Sequence, residues 1–224
     1  MPKSREERKF RRQRAHLVEE LRERGISDEN VLSAIGAVPR HEFVEDAMRP
    51  RAYADEALPI GLSQTISQPF TVAYQTSLLE VRKGDRILEI GTGSGYQAAV
   101  LCELGARVFS IERHEPLLQR TRSLLSRLGY RVTSKLGDGT QGWPAFAPFD
   151  GIVVTAGAVS IPPAFIKQLR AEDESHRAGR LVIPVGGRDG QTMTLIRKTG
   201  PNPGDIKRQE FHSFRFVPLI GDEE

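Results

Sequence analysis

The sequence predicts an α/β fold, a doubly wound sheet of seven mostly parallel strands with a helical extension at its N-terminus. Two observations support this. From residue 70 onward short apolar runs alternate with longer amphipathic segments, as in repeated βαβ units. A glycine-rich turn, 91–95, also joins an apolar strand to a helix, as ligand-binding turns of such sheets do. We therefore expect a ligand at the carboxyl ends of the strands.

The first 70 residues are predicted to contain two helices followed by a long loop. Phe10 and Leu17 lie at helical spacing, and Gly25 ends the first helix. A second, shorter helix ends before Pro39. The stretch 39–69 is predicted to be irregular because prolines and glycines interrupt it, and a loop of this length usually has a function.

The rest of the chain is predicted to alternate between the two element types. Predicted helices cover 71–80, 95–104, 117–128 and 162–170. Predicted strands cover 86–90, 107–111, 131–136, 149–155 and 180–185, and the apolar stretches 192–197 and 211–219 close the sheet. We expect residues 1–70 to pack on a core formed by 71–224, as one folding unit. The charged loop 171–179 is expected to be mobile.

Composition narrows the class of protein. The chain has 224 residues, 38% of them apolar and 27% charged, which suits one globular domain. No apolar run approaches the length of a bilayer span, and no apolar signal core follows the basic N-terminus, so we expect a cytoplasmic protein without a membrane partner. Residues 1–25 hold nine Lys/Arg and five Glu, a net of +4, while the whole chain has +3. Because this charge lies away from the predicted site, we expect no nucleic-acid partner.

The glycine turn indicates the cofactor. Glycines at 91, 93 and 95 form G-x-G-x-G, whereas the dinucleotide pattern G-x-G-x-x-G would need glycine at Tyr96. Glu89 leads into the turn from the strand. An acidic residue before this glycine spacing is typical of S-adenosylmethionine-dependent methyltransferases. The motif alone does not indicate the methyl acceptor.

Two further carboxylates lie where a nucleoside would need them. Glu112 ends the next strand, 21 residues after Gly91, and a carboxylate there can accept both hydroxyls of a ribose. Asp138 lies between two glycines after the third strand of the series. In methyltransferases a carboxylate here faces the adenine amino group. The competing interpretations are an exposed surface glutamate and an ordinary Asp-Gly turn.

Several methyltransferase classes do not fit. Enzymes that methylate exocyclic amines of bases usually carry Asn/Asp-Pro-Pro-aromatic after the fourth strand, but here that position is Thr155-Ala156-Gly157. Cytosine C5 enzymes need a nucleophilic cysteine, whereas Cys102 lies in a predicted helix among leucines. The histidines are scattered, and no His/Cys/Asp cluster has the spacing of a metal site, so no metal is expected.

Over nearly its whole length the chain resembles the protein-L-isoaspartate O-methyltransferase family. The matching segments include Val38-Pro39-Arg40, Ala57-Leu58-Pro59-Ile60-Gly61, Gln64-Thr65-Ile66-Ser67-Gln68-Pro69, Leu88 to Gln97, Gly137-Asp138-Gly139, Gly142-Trp143, Arg180 to Gly186 and Arg215-Phe216-Val217-Pro218-Leu219. The Gln-Thr-Ile-Ser segment is the most specific, because it lies outside the generic cofactor fold.

The resemblance implies a Rossmann-like class I methyltransferase that transfers a methyl group from S-adenosylmethionine to the free α-carboxyl of L-isoaspartyl residues in damaged proteins and peptides. The ester then cyclises to a succinimide, whose hydrolysis returns part of it to aspartate. Ser67 would be the active-site hydroxyl. The implied cofactor-binding residues are Gln64, Thr65, Ile66, Glu89, Gly91, Thr92, Gly93, Gly95, Glu112, Arg113, Asp138 and Gly139.

The chain departs from the family pattern in two places. The family commonly has Gly-x-Gly-Gln-Thr-Ile-Ser, but here Ser63 replaces the second glycine. If that position has positive φ, Ser63 adds strain of roughly 1 kcal/mol. The loop 171–179 is also longer than the usual short link, and we expect it to bulge away from the cofactor.

Two alternatives stay open on the sequence. The same scaffold could methylate another carboxylate, in peptide maturation or on a small molecule. A protein that only binds S-adenosylmethionine would be expected to lose the Gln-Thr-Ile-Ser segment, which is intact here. For the repair enzyme we expect a monomer, with a substrate groove bordered by the loop 58–69 and by the C-terminal residues 217–219.

Overall fold

The computed structural model describes residues 5–187 and 190–221. Within these ranges the α-helices are α1 (Arg5–Glu23), α2 (Glu29–Ala37), α3 (Pro69–Leu79), α4 (Tyr96–Glu103), α5 (Glu115–Arg127) and α6 (Pro163–Gln168). The strands are β1 (Leu58–Gly61), β2 (Gln64–Ile66), β3 (Arg86–Ile90), β4 (Arg107–Glu112), β5 (Val132–Leu136), β6 (Gly151–Val154), β7 (Gly179–Val185), β8 (Gln191–Lys198) and β9 (Ile206–Phe214).

Seven of these strands form one sheet, in the order β5-β4-β3-β6-β7-β8-β9. Strands β3 to β7 pair in parallel, and β8 and β9 each pair antiparallel with the preceding strand. The chain runs outward from β3 to one edge and then resumes at β6 on the other side of β3. This confirms the predicted doubly wound, mostly parallel sheet, and it places the ligand crevice beyond the carboxyl ends of β3 and its neighbours.

Strand β3 lies at the centre of the sheet. Leu88 of β3 pairs with Phe109 of β4 on one side and with Ile152 of β6 on the other. Helices cover both faces of a parallel sheet, which is why β3 is a nearly continuous apolar run instead of an alternating one. The burial of Leu88 and Ile90 holds the end of β3, and thus the glycine turn that follows, in a fixed position.

The N-terminal helices pack on the same core. Phe10 and Leu17 of α1 are buried, as their spacing predicted, and α2 contacts both α3 and α4. Asp28 caps the start of α2, and its carboxylate accepts hydrogen bonds from the backbone amides of Asn30 and Val31. One hydrophobic cluster contains side chains from α1 through α5. The division of the chain near residue 70 stays a prediction. The hydrophobic core continues across this position.

Two sequence predictions need correction. The stretch 39–69, predicted to be irregular, contains two 3₁₀ turns (Arg40–Glu42 and Asp46–Arg51) and the antiparallel hairpin of β1 and β2. The last strand, predicted at 211–219, is β9 (Ile206–Phe214). Its first five residues are exposed, so the strand lacks the apolar alternation that would have revealed its start.

The loop 171–179 lies at the opposite end of the sheet from the glycine turn. Arg177 in this loop forms an ion pair with Asp85, which directly precedes β3. The loop therefore lies beside the N-terminal end of β3, whereas the glycine turn follows the carboxyl end of the same strand. The position agrees with the expectation that the insertion bulges away from the cofactor.

Strand β9 is one edge of the sheet, and most of its residues are exposed. Its inner side packs through Phe211 and Phe214, whose rings lie 6.1 and 5.5 Å from that of Tyr74. Its first half carries Lys207, Arg208 and Glu210. No helix among the described residues is long and apolar enough to cross a membrane.

Candidate functional site

A pocket of about 960 Å³, including its open mouth, lies at the carboxyl ends of β3 and β4. Four stretches of chain form most of its wall: the end of the hairpin, the turn after β3, the end of β4 and the C-terminal segment 217–220. The lining residues are Gln64, Thr65, Ile66, Ser67, Val72, Glu89, Ile90, Gly91, Thr92, Gly93, Ser94, Tyr96, Gln97, Ile111, Glu112, Arg113, His114, Gly139, Thr155, Ala156, Val217, Pro218, Leu219 and Ile220.

The turn after β3 needs its glycines. Gly91 has φ 94° and Gly93 has φ 50°, a region that side-chain-bearing residues rarely occupy. A Cβ on Gly91 would lie 2.6 Å from Oγ1 of Thr155. That hydroxyl donates to the carbonyl oxygens of Ile90 and Gly91, at 2.9 and 2.8 Å, so Thr155 fastens the start of the turn.

Glu112 is held in place by the backbone. Its Oε2 accepts a 2.8 Å hydrogen bond from the Gly93 amide, and its Oε1 accepts a 2.9 Å hydrogen bond from the His114 amide. The residue is only 5% exposed and lines the pocket. Each carboxylate oxygen can accept a second hydrogen bond, so the geometry suits a ligand that donates two hydroxyl groups.

Glu89 lies beneath the glycine turn and is fully buried. Ser110 donates a 2.5 Å hydrogen bond to its Oε2, and the Ser110 hydroxyl also lies 2.6 Å from that of Thr92. Burial raises the pKa of Glu89 to about 8; the Ser110 hydrogen bond opposes this rise, and the nearby charge of Glu112 adds to it. The carboxyl group is therefore largely protonated in the ligand-free protein at neutral pH.

Three buried oxygens of pocket-lining residues have no hydrogen bond of standard geometry to any described residue: the hydroxyl of Tyr96 and two carbonyl-type acceptors, Oε1 of Glu89 and Oε1 of Gln97. A buried acceptor without a donor is costly, so such atoms usually meet a ligand or water. A cationic group with several N–H donors would satisfy both acceptors. Gly139 lies on another wall and packs so closely on Ile90 that a Cβ there would lie 2.5 Å from Cγ2 of Ile90. These features fit a nucleoside that carries an amino-acid chain.

The hairpin of β1 and β2 brings residues 64–67 to the pocket. Its two-residue loop consists of Leu62 and Ser63, with φ values of 52° and 56°. A loop with positive φ at both positions normally contains Asn and Gly. Ser63 thus meets the condition under which its side chain adds strain, and Leu62, 51% exposed, is strained in the same way.

Ser67 follows β2 and lies two residues before the start of α3. It is half-buried and lines the pocket. Its carbonyl oxygen accepts a 2.8 Å hydrogen bond from Nη2 of Arg40. The structure thus brings Ser67, the predicted active-site hydroxyl, and the predicted cofactor turn to one pocket. The C-terminal residues 217–219 line the same pocket, which agrees with the predicted border of the groove.

Most of the predicted site residues line the pocket, but Gly95 and Asp138 do not. A Cβ on Gly95 would lie 2.6 Å from Cγ2 of Thr121, so this glycine admits the packing of α5. The Asp138 carboxylate accepts hydrogen bonds from the amide and hydroxyl of Thr140 and caps a 3₁₀ turn. Arg113 does line the pocket, and its Nη1 donates to the carbonyl of Ile220 at 2.9 Å.

Sequence reasoning missed several residues that shape the site. Gln97 lies in a helix whose sequence pattern gave it no special role, and Thr155 was noted only because it replaces another motif. Ser110 did give a signal. It is a polar residue in the middle of the apolar strand β4, and such residues usually have a buried partner.

Comparison with known proteins adds independent findings. A family model described as protein-L-isoaspartate(D-aspartate) O-methyltransferase matches residues 12–224. A protein-L-isoaspartate O-methyltransferase of Salinibacter ruber is 67% identical over 221 residues, which cover 98% of this chain and 96% of that protein. A protein of the same description from Christiangramia forsetii is 52% identical over 94% of this chain and 95% of its own length.

Solved structures show the same fold. One described as a protein-L-isoaspartate O-methyltransferase superposes with a TM-score of 0.81 at 29% identity, covering 93% of this chain and 66% of that chain. A Plasmodium falciparum structure in complex with S-adenosyl-L-homocysteine superposes with a TM-score of 0.77 at 24% identity, covering 92% and 98%. At 24% identity, the similarity to this second structure shows a shared fold only.

Proposed function

The chain belongs to the protein-L-isoaspartate(D-aspartate) O-methyltransferase family, and we propose that its pocket binds S-adenosylmethionine between the glycine turn and Glu112, with Ser67 directed toward the acceptor. The enzyme transfers a methyl group from S-adenosylmethionine to the α-carboxyl of L-isoaspartyl residues in proteins and peptides, and it thereby starts their repair through a succinimide. The residue assignment rests chiefly on one observation. The Glu112 carboxylate and residues 64–67 line the same pocket.

The donor side of the pocket is assigned by chemistry. The oxygens of Glu112, fixed by the amides of Gly93 and His114, would accept the two ribose hydroxyls. Gly139, whose close packing on Ile90 excludes a side chain, would contribute its backbone to the wall beside the adenine ring. Oε1 of Glu89 and Oε1 of Gln97 would accept hydrogen bonds from the amino group of the methionine part. That cation would favour the ionised form of Glu89.

Asp138 and Gly95 have different proposed roles. Asp138 is proposed to act near the adenine by capping the turn that begins with Gly139, which does line the pocket. Gly95 supports the cofactor turn by admitting Thr121 of α5. The residues on the hairpin side, Gln64 to Ile66, would close over the donor.

The acceptor side needs little acid–base chemistry. When bound, S-adenosylmethionine supplies a methyl group already activated by its sulfonium. The acceptor carboxylate is ionised at neutral pH, so the chain needs no strong general base. Ser67 would orient the carboxylate by donating a hydrogen bond, and the apolar residues of the C-terminal segment would exclude water.

The remaining proposals concern the setting of the reaction. Because the excess positive charge lies in residues 1–25 and not in the pocket, we propose protein and peptide substrates without a nucleic-acid partner. We also propose a cytoplasmic monomer that acts without a membrane partner. An isoaspartyl linkage adds a carbon to the backbone, so the substrate would enter as an extended chain between the hairpin and the C-terminal segment.

The test is transfer of radiolabelled methyl groups to two synthetic peptides that differ only in carrying L-isoaspartate or L-aspartate at one position. We expect a base-labile label on the isoaspartyl peptide alone. Label on neither peptide, with binding of S-adenosylhomocysteine confirmed by calorimetry, would contradict the proposal and indicate that the scaffold acts on a different carboxylate. Equal labelling of both peptides would contradict the assigned specificity.

A further inference from the structure

Arg40 is fully buried although its side chain carries a positive charge. It begins a 3₁₀ turn (Arg40–Glu42) in the segment that connects α2 to β1. Removing a guanidinium from water is costly unless its N–H groups find acceptors in good geometry. The residues that Arg40 contacts therefore indicate what the chain gains from burying it.

One edge of the guanidinium is directed at backbone carbonyls. Nε donates to the carbonyl of Ala52 at 2.9 Å, and Nη2 donates to that of Ser67 at 2.8 Å and more weakly to that of Glu56 at 3.4 Å. Ala52 follows the second 3₁₀ turn, Glu56 precedes β1 and Ser67 follows β2. Three carbonyl groups from different parts of the segment 40–67 therefore converge on the guanidinium of Arg40. The last of them is the carbonyl of Ser67, the proposed active-site serine.

The face of the same guanidinium contacts the other half of the site. Its Cζ lies 4.6 Å from the ring centroid of Tyr96. Tyr96 is the first residue of α4, directly after the glycine turn, and its buried side chain lines the pocket. Arg40 thus contacts the backbone of Ser67 and the residue that ends the cofactor turn at the same time.

We propose that Arg40 is a positioning residue for methyl transfer, which sets the location of the Ser67 loop relative to the glycine turn. This proposal rests on the proposed function, in which the loop receives the acceptor carboxylate and the turn holds the methyl donor. Transfer in line between two bound partners is sensitive to small displacements of either. The guanidinium of Arg40 is rigid and planar. Its edge binds the Ser67 loop and its face stacks on Tyr96 after the glycine turn, so it holds these two segments at a fixed distance from each other.

The contacts of Arg40 distinguish this role from filling the core. The hydrogen bonds of standard geometry that Nε and Nη2 donate all go to carbonyl oxygens, and none goes to a carboxylate. The guanidinium also interacts with the hydroxyl of Tyr96, and Nη1 is buried without a hydrogen bond of standard geometry to a described residue. The nearby carboxylate of Asp55 is paired with Arg24 and also accepts a hydrogen bond from the Phe70 amide. An apolar side chain would fill the same volume without the cost of a buried charge, so the gain lies in the directed donors.

Arg86 provides a matched control. It also donates to a backbone carbonyl, that of Phe146, and its Cζ lies 5.4 Å from the ring centroid of Phe109. It begins β3, at the end of the sheet remote from the pocket. Arg86→Lys therefore makes the same chemical change as Arg40→Lys: it replaces a planar guanidinium beside an aromatic ring with a compact ammonium group. It does so without altering a contact to the Ser67 loop or to the glycine turn.

The experiment compares the wild-type enzyme with Arg40→Lys, Arg40→Met and Arg86→Lys. Three quantities are measured: the single-turnover rate of methyl transfer to an isoaspartyl peptide at saturating substrates, the Kd of S-adenosylhomocysteine, and Tm. We expect both Arg40 variants to lose about 100-fold in transfer rate while the Kd changes by less than about 3-fold. Arg86→Lys should keep its transfer rate within about 3-fold of the wild type.

Each other outcome would overturn the proposal. A transfer rate in both Arg40 variants close to that of the wild type would remove the positioning role. A similar loss in Arg86→Lys would make the effect a general one of arginine replacement. If Kd rises in step with the loss of rate, or if both Arg40 variants unfold, Arg40 supports the fold and not the alignment. Failure of the wild-type enzyme to label the peptide would instead contradict the proposed function.

Discussion

The backbone amide of Gly93 donates a 2.8 Å hydrogen bond to Oε2 of Glu112. Because Gly93 lies in the turn after β3 and Glu112 ends β4, this bond joins two neighbouring strand ends across the predicted ribose site. The carboxylate is therefore in place before any ligand arrives. Such preorganisation lowers the entropy cost of binding.

Glu112→Gln should weaken cofactor binding. The side-chain amide keeps only one acceptor oxygen, so one of the two ribose hydroxyls would meet an N–H group instead of an acceptor, at a cost of about 1–3 kcal/mol in binding. We expect the Kd of S-adenosylhomocysteine, measured by calorimetry, to rise by roughly 10- to 100-fold. Glu115→Gln, a change in the first turn of α5, is the control and should leave Kd unchanged. An unaltered Kd for Glu112→Gln would exclude Glu112 as a ligand of the cofactor.

Ser67→Ala should slow turnover without abolishing it. The hydroxyl orients a carboxylate that is already a nucleophile, so its loss removes one hydrogen bond, and kcat/KM for the isoaspartyl peptide should fall by roughly 10- to 100-fold. The Kd of S-adenosylhomocysteine should stay the same. Ser77→Ala, which removes a hydroxyl bonded to the Ala73 carbonyl within α3, should retain kcat/KM. Wild-type turnover by the Ser67 variant would mean that this hydroxyl does not contact the acceptor.

Ser63→Gly should stabilise the protein. Ser63 has φ 56°, where a side chain costs about 1–2 kcal/mol, whereas glycine costs nothing there but adds some freedom to the unfolded chain. The free energy of unfolding in urea should therefore increase by roughly 0.5–1 kcal/mol. The same substitution at Ser77, inside α3, should decrease it by about 1 kcal/mol. A decrease for both variants would show that Ser63 is not strained.

The contribution of Glu89 to the stability of the ligand-free protein should fall as pH rises from about 4.5 to about 8. The pKa of Glu89 is about 8 in the folded state against an ordinary value of 4.5. Between these values the unfolded chain releases the proton and the folded chain retains it, so the stability present below pH 4.5 is lost as pH rises through about 8.

The measurement is a series of urea titrations from pH 5 to pH 9 on the wild type and on Glu89→Gln. Since the amide cannot ionise, the variant should show a flatter dependence on pH and should gain stability relative to the wild type at the alkaline end. Parallel curves for the two proteins would show that Glu89 titrates at its ordinary pKa.

The parts of the site that sequence could predict depend on neighbours along the chain. The strand-glycine-helix succession located the turn at Gly91, and the spacing to Glu112 followed from the length of one βα unit. The hairpin was missed because its loop, Leu62-Ser63, lacks the Asn and Gly that normally indicate such a turn. The role inferred for Arg40 could not be predicted, because its acceptors are 12, 16 and 27 residues away.

The C-terminal strand was misplaced for a related reason. Phe211, Phe214 and Phe216 give the stretch around them the pattern of a half-buried strand, and all three pack on one hydrophobic cluster, two of them with ring contacts to Tyr74. The true strand starts at Ile206, in a run of exposed and mainly polar residues. An edge strand pairs on one side only and is solvated over much of its surface, so hydrophobic periodicity does not reveal where it begins.

The exposed edge strand β9 has a consequence for an enzyme whose substrates are damaged proteins. Damaged chains expose unpaired backbone, and an open strand edge is a template on which such chains can assemble into aggregates. The charges of Lys207, Arg208 and Glu210 on β9 disfavour this pairing, because an incoming strand would have to bury them. We therefore expect this edge to resist strand addition by an unfolded substrate that is bound at the pocket.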